Sequence, residues 1–431
     1  MLKWLVVAGA IAISGCSEIL DLAEYEPAPS DDHFLAKYDS EGTHVWTSLL
    51  PIYVKEAAVD AQGNIAITTS CYEEVDRPNL GGGTLAGDGA NNFAIGKFDG
   101  EGKYTWDLVF ERSCAGPIST DGSANIVLLA EFTDRADHSN AGPGYVFVTK
   151  FDPEGNQLWE LVFVDGIDVY VEHAPFHHAL AVDGADDIII AGNTDWSIEG
   201  EDPLTGGCFV VELDSAGNQQ WGRSFDGGCR DLLVDVDSAG DVLLSGCVDG
   251  SLDLGGGPIA SNSTFLVRLD SAGEILWTSQ GIGLNIACGV RAAFDSSGNV
   301  VLAGRASEGV DLGGGPLTGV DSTDILVAWL DPGGGHLWSE GFAGSGTLRI
   351  NSLDVNHSDD MVITGLFSGE VDFGGGSLSG PDDSNMFVAL LDSLGGHVWS
   401  MTFDGAEGRN VVTDGTGDVL LTGVVTGDYD P

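Results

Sequence analysis

Polar and apolar residues along this chain follow two patterns that take turns. In the first, a strand such as Phe209-Val-Val-Glu-Leu213 places apolar and polar residues on opposite sides, enters the turn Asp214-x-x-Gly217, and leads to a second strand carrying Trp221. In the second, as in FDSSGNVVLAG from Phe294 to Gly304, the strand after the turn is apolar at nearly every position. Alternation marks a half-buried strand, and a continuous apolar run marks one covered on both faces. Inner, doubly buried hairpins therefore alternate with outer, half-exposed ones whose exposed side carries Lys37, Lys97, Lys150, Glu212 and Arg268. No segment keeps a helical period, so the chain reads as all-β.

The outer hairpin recurs. Its turn is Asp39/Gly42, Asp99/Gly102, Asp152/Gly155, Asp214/Gly217, Asp270/Gly273, Asp331/Gly334 and Asp392/Gly395, followed by Trp46, Trp106, Trp159, Trp221, Trp277, Trp338 and Trp399 at spacings of 60, 53, 62, 56, 61 and 61 residues. The Asp caps backbone N–H groups of the turn and the Gly takes its positive φ. A unit of this length cannot bury its own apolar face, which points to a propeller or a solenoid. A solenoid needs polar capping repeats, and none is present. The expected fold is a seven-bladed β-propeller over residues 33–431, four antiparallel strands per blade, with indoles wedged between neighbouring sheets. Residues 34–50 form an outer hairpin and 411–425 an inner one, so the N-terminal and C-terminal segments complete one blade and close the ring, removing two open edges.

The turn, the apolar strand and the Gly after it resemble the bacterial SBBP β-propeller repeat, as in FDSSGNVVLAG, over residues 33–431 and best in the last four units. The resemblance implies a fold rather than an activity. The turn is also similar to the tryptophan-docking repeat of quinone-type propellers, Asp-x-x-Thr-Gly-x-x-x-Trp, but here it is one residue shorter and lacks the Thr, so that cofactor chemistry does not carry over.

Charge narrows the class of partner. With 16 Lys+Arg against 67 Asp+Glu the formal net charge is −51, which opposes nucleic acid and anionic lipid surfaces. At 43% hydrophobic residues the chain can still bury a core, and its 64 Gly without a collagen period imply many tight turns. Residues 1–15, with Lys3 and an apolar run too short to span a bilayer, read as a signal peptide. The run ends in Ile13-Ser14-Gly15-Cys16, which resembles the lipobox of bacterial lipoproteins and implies a lipid on Cys16. Residues 16–32 then form an acidic, Pro-containing tether, and Ser17 after Cys16 points to the outer membrane.

Strand order puts every Asp-x-x-Gly turn on one face and the long connections on the other. Cys71, Cys114, Cys208, Cys229, Cys247 and Cys288 all fall at the long-loop face, an even set in an exported chain and hence disulfide candidates. The hairpin turn at Asp237 to Gly240 brings Cys229 and Cys247 nearly opposite, so that pair is the one expected from register. Gly triplets follow Leu80, Leu254, Leu312 and Phe373; Asp253, Asp311 and Asp372 precede three of these positions and are expected to bind loop N–H groups. Three histidines, His173, His177 and His178, stand where an inner strand enters from the long-loop face and are candidate metal ligands, whereas His44, His336 and His397 share one repeat position and read as structural. Asp235, Asp237 and Asp241 have the alternating oxygens Ca²⁺ prefers, so Ca²⁺ is a cofactor the sequence offers a place for; none is required. There is no Gly-x-Ser-x-Gly elbow and no His-Glu-x-x-His, so catalysis finds no motif support. The expectation is a non-catalytic cell-envelope lipoprotein that binds or scaffolds a protein or glycan through its long-loop face. The alternatives are a channel-centred polysaccharide lyase or hydrolase and an outer-membrane assembly component.

Overall fold

The computed structural model describes residues 32–69, 79–83, 85, 92–111, 113–132, 145–165, 178–193, 196–197, 204, 207–255, 257–279, 288–305, 309–317, 324–380 and 385–425. Among these residues every element is a strand, and paired strands are antiparallel. Four-stranded meanders recur: one begins at Val54–Val59 and ends at Tyr104–Phe110, another spans Arg291–Phe294 to His336–Phe342, and another Leu348–Val355 to His397–Phe403. The meander from Ser113–Thr120 to Gln157–Asp165 gains a two-residue strand, Trp196–Ser197, on its outer edge. As the chain ends predict, Asp32–Tyr38 pairs along its whole length with Val419–Val425, so first and last segments share one four-stranded sheet.

Between residues 179 and 278 two such ladders are fused. Gln219–Val236 is 18 residues long, about three times an ordinary strand. Up to Asp226 it pairs with Gly207–Leu213 as an outermost strand, and from Asp226 onward it pairs with Val242–Asp253 as an innermost one. The register shifts between Gly227 and Gly228, where the backbone comes so close that a Cβ on Gly227 would lie 1.9 Å from the Ser251 carbonyl. Only Gly lets the strand turn this corner without a loop.

The cores lie between sheets, not within them. Leu35 and Leu420 pack with Ile67 and Phe98, Ala66 and Ile95 with Ile126 and Leu128, and Val127 and Val148 with Ile190 and Val211. Ile189 and Val210 pack with Leu244 and Val267, Leu243 and Leu266 with Leu302 and Leu326, Val301 and Val327 with Ile363 and Phe387, and Val362 and Val388 with Phe34 and Leu421. Neighbours such as Ile189 and Ile190 serve opposite partners because strand side chains alternate with period two. Each fully buried aliphatic side chain stabilises by about 1.5–3 kcal/mol. The series of interfaces returns to the sheet where it began, and the architecture is a β-propeller.

The repeated Trp locks each interface. Its indole N–H donates to the carbonyl just after the Asp of the next turn: Trp46 to Gly100, Trp106 to Pro153, Trp159 to Ser215, Trp221 to Ser271, Trp277 to Pro332, Trp338 to Ser393, and finally Trp399 back to Ser40, at 2.9–3.2 Å. Gly42, at φ +81°, also leaves room for the ring, since a Cβ there would sit 2.8 Å from Trp399.

One expectation about exposure is overturned. The strand before each outer turn is buried on both sides, as in Phe93–Phe98 and Thr264–Leu269; within the outer hairpin it is the strand carrying the Trp that is half-exposed. The charges read as an exposed face are therefore interior ones, and the four cations among them each have a counter-charge in the inner turn of their own sheet. Lys97 Nζ lies 3.0 Å from Asp60, Lys150 Nζ 2.8 Å from Asp121, Lys37 Nζ 2.8 Å from Asp414, and Arg268 Nη2 2.6 Å from Asp237.

Candidate functional site

The innermost strands surround a central axis with two chemically different ends. At the turn end each inner Asp gathers backbone N–H groups and, where present, the buried cation. Asp237 Oδ1 accepts from Ala239 and Asp241 N–H, while its Oδ2 and that of Asp241 share the Arg268 guanidinium at 2.6 and 2.9 Å. Burial alone would raise the Asp121 carboxyl, but Lys150 and Asn125 hold it below the usual range. The repeat with Glu212 breaks the rule. A carboxylate stands where its neighbours have Lys or Arg, facing Asp183 and Asp187 of the inner turn, and its pKa is pushed up to about 7 by burial and by Asp187, with the Trp221 side chain pulling the other way. Asp187 is raised as well, by burial and by Asp183.

The Ca²⁺ expectation fell on this end. Asp237 and Asp241 do converge, but the cation between them is Arg268. Asp235 points elsewhere: its Oδ2 accepts the Phe294 N–H of the next innermost strand at 2.7 Å, and burial raises its carboxyl to about 6 despite that bond. Asp354 does the same two interfaces on, accepting the Thr413 N–H at 2.6 Å and hydroxyl at 2.8 Å. Among the described residues no three His, Cys, Asp or Glu side chains are arranged to hold a metal ion.

At the long-loop end the innermost strands carry polar side chains on β-bulges. Lys55 is the extra residue between Val54 and Glu56, Asn351 between Ile350 and Ser352, and Arg409 between Gly408 and Asn410. A bulge re-aims a side chain out of the ladder, and here Lys55 and Asn351 reach the next strand around the axis while Arg409 bonds Glu407 of its own strand. Arg291 Nε donates to the Asn351 carbonyl at 2.8 Å and Asn351 Nδ2 to the Gly408 carbonyl at 2.7 Å; Asn410 Nδ2 donates to Glu56 Oε2 at 3.1 Å, and Lys55 to the Ala115 carbonyl. The result is a belt across five consecutive innermost strands. Burial pushes the Glu56 carboxyl up against the pull of Lys55 and Arg291, and burial pushes the Lys55 ammonium down against Glu56 and Glu131. The spacing of charged residues showed no sign of this belt, because its members belong to different repeats and are marked only by bulges.

The cysteines correct a second expectation. Cys229 does not bond Cys247. The structure has Cys208–Cys229 and Cys247–Cys288, and Cys114 is disulfide-bonded too; Cys71 lies outside the described residues. The ladder explains the change, since Cys229 sits opposite Val248 and Cys247 opposite Arg230. A one-residue offset puts the two thiols on opposite faces of the sheet, each towards a different neighbouring repeat.

His173 and His177 lie outside the described residues; His178 packs beside Gly192, where a Cβ would be 2.6 Å from its ring. His44, His336 and His397 each bond a hydroxyl three residues on, at Thr47, Ser339 and Ser400. The Gly triplets behave as read, with Asp253, Asp311 and Asp372 each accepting from the first and third Gly, and Asn79 doing so in the remaining one. Their position is not as expected. The middle Gly of two triplets lies against the ring that opens the outermost strand, so that a Cβ on Gly314 or Gly375 would be 2.1 Å from His336 or His397. Glu370–Asp372 and Ser377–Ser379 pair as a small hairpin around one triplet. These connections thus fold back along the outer rim instead of staying at the long-loop face.

No protein-family model matches the chain, and no curated protein matches it. Among solved structures it is similar to the Dos1 propeller (10% identity over 86% of this chain and 92% of that one, TM-score 0.45). It is similar also to BBS1N, solved in complex with ARL6DN (9% identity, 88% and 95%, TM-score 0.40), and to a protein of unknown function from Bacteroides caccae (11% identity, 72% and 94%, TM-score 0.40). Likenesses this loose say nothing about what the chain binds.

Proposed function

We propose that this protein is a seven-bladed propeller displayed from the cell envelope by a lipid on Cys16, and that it acts as a non-catalytic binding or scaffolding platform for a protein or glycan at the long-loop end of its axis. The blade count is supported by the indole series that starts at Trp46 and closes from Trp399 onto Ser40. The anchor and the outer-membrane location are supported by the Ile13-Ser14-Gly15-Cys16 sequence.

The observation that carries the binding reading is the contrast between the ends of the axis. The turn end is closed by uniform short turns whose leading Asp or Asn side chains bond backbone N–H groups of their own turn, whereas the long-loop end gathers Lys55, Arg230, Arg291, Arg349 and Arg409, five of the 16 basic residues, on innermost strands of an otherwise acidic chain. Polar groups converging at the mouth of a rigid ring are what a ligand meets.

A glycan array and a pull-down from envelope extract, each run with wild type and with a Lys55→Ala/Arg349→Ala/Arg409→Ala variant, test this. Selective binding lost in the variant is expected; undiminished binding by the variant overturns the axial site. Mass spectrometry of the mature N-terminus checks the lipid, and release of Cys16→Ala into the soluble fraction is the expected companion result.

A further inference from the structure

Arg291 and Arg349 differ from most of the described cations of this chain. In a protein with 67 acids and 16 bases, positive groups find counter-charges readily: Lys37, Lys97, Lys150, Arg223, Arg230, Arg268 and Arg409 each lie within 3.1 Å of a carboxylate. Arg291 and Arg349 occupy neighbouring innermost strands, Arg291–Phe294 and Leu348–Val355, and among the described residues neither guanidinium forms a salt bridge. Arg291 commits only its Nε, to the Asn351 carbonyl. Burial lowers the Arg291 pKa, the Asp231 and Glu56 charges oppose that shift, and the Arg349 charge adds a smaller push downward. Two cations on neighbouring innermost strands without a salt bridge, amid so many acids, mark a gap in the ion pairing at this end.

Further groups at the same end lack partners, and they differ in chemistry. Arg409 Nε is a buried donor without an acceptor, and Asn410 Oδ1 a buried acceptor without a donor. The Arg409 guanidinium otherwise lies over the Tyr53 ring, 5.4 Å from its centroid, and bonds Glu407. A simple anion would answer the guanidinium groups and leave Asn410 Oδ1 bare; a neutral sugar would answer Asn410 and leave the arginines bare. A ligand that carries both a carboxylate and hydroxyl groups answers all of them, since guanidinium forks bind carboxylates in pairs of charge-assisted bonds and a hydroxyl supplies the missing donor.

We propose that the mouth of the axis binds a uronic acid residue of an acidic glycan, its carboxylate held by Arg291 and Arg349 and a hydroxyl directed to Asn410. This deepens the binding reading above and rests on it. The net charge of −51 opposes the approach of any polyanion, so recognition depends on short-range contacts with one or a few acidic residues rather than on a long charged chain.

Calorimetric titration of the full chain with tri-galacturonate and with uncharged galactotriose tests the assignment. Tri-galacturonate is expected to bind and galactotriose to bind at least tenfold more weakly, about the effect of losing one charged hydrogen-bond pair. Arg349→Ala, at an exposed position, should weaken the uronate about tenfold while leaving the melting temperature unchanged; Arg291→Lys, which keeps the charge and the fold but loses the fork, should weaken it severalfold. Equal binding of both trisaccharides, or full affinity in Arg349→Ala, overturns the acidic-sugar assignment and leaves glycan binding standing. Failure of both trisaccharides overturns this inference alone when the array and pull-down show a partner, and undermines the reading beneath it when they too are blank.

Discussion

The repeat holding Arg268 and the repeat before it, holding Glu212, occupy the same geometry with opposite charge. In one, a guanidinium sits between Asp237 and Asp241 and also bonds the Pro332 carbonyl two turns on. In the other, Glu212 faces Asp183 and Asp187, and the three carboxyls share their burial with no described cation among them. Where the cation position is Leu390, the inner turn begins with neutral Asn356 in place of Asp, whereas where it is Trp329 the inner turn keeps Asp295. The fold thus tolerates loss of the pair when both partners become neutral, and at Trp329 and at Glu212 it tolerates loss of the cation alone. The lesson is that the inter-sheet apolar cores and the Trp docking carry the ring, while the ion pair adjusts the stability of each sheet. The Cys208–Cys229 bridge ties the strand of Glu212 to the long strand shared with the Arg268 ladder, across the weakest point of the pattern.

This contrast can be broken most severely from the Arg268 side. Arg268→Ala strips the cation from two carboxylates and should cost about 3–5 kcal/mol in denaturant unfolding, the usual penalty for leaving buried charge unpaired. Next in size is the disulfide: Cys208→Ala/Cys229→Ala opens a 21-residue separation and should cost about 3 kcal/mol, with exchange of backbone amides rising first in the Ala179–Val182 and Ile188–Gly192 strands. The comparison sharpens from the other side with Glu212→Lys, which rebuilds the Lys150–Asp121 arrangement and should add about 1–2 kcal/mol at pH 8, seen as a higher melting temperature.

The smallest effect is the pH dependence. Glu212 titrates near 7 in the fold against 4.5 for the free group, so the folded state holds its proton more tightly. Its contribution is complete below about pH 4.5 and is lost as pH rises through 7. Asp235, raised to about 6 from 3.8, adds in the same direction. Wild type should therefore lose about 2 kcal/mol between pH 5 and 8 in urea midpoints, and Glu212→Gln should remove most of that slope; an unchanged slope in Glu212→Gln places the titration elsewhere.

How much of this was legible depends on the reach of each interaction. Asp214 and its acceptor duties at Ala216 and Asn218 are local, and so the turn could be read directly. The pair Lys97–Asp60 is separated by 37 residues and looked like ordinary strand alternation; the correlation of Leu390 with Asn356 was the available clue. Cys229 and Cys247 were near in register but one residue out of phase, and a bulge-containing hairpin cannot be phased by counting. The axial belt was the least legible part, since Arg291, Asn351, Asn410 and Glu56 meet only once four repeats have closed around a common axis.

The sequence by itself determined the strand class, the repeat, the turn chemistry and the closure of the chain ends on each other, because each follows from spacing within a few residues or from the period of one unit. Tertiary structure decided which charges are interior, which cysteines bond, where the Gly triplets lie and which polar groups share the axis. Those outcomes depend on which face of a strand meets which neighbour, and a single bulge or a loopless corner such as Gly227-Gly228 reverses that parity without leaving any mark in composition.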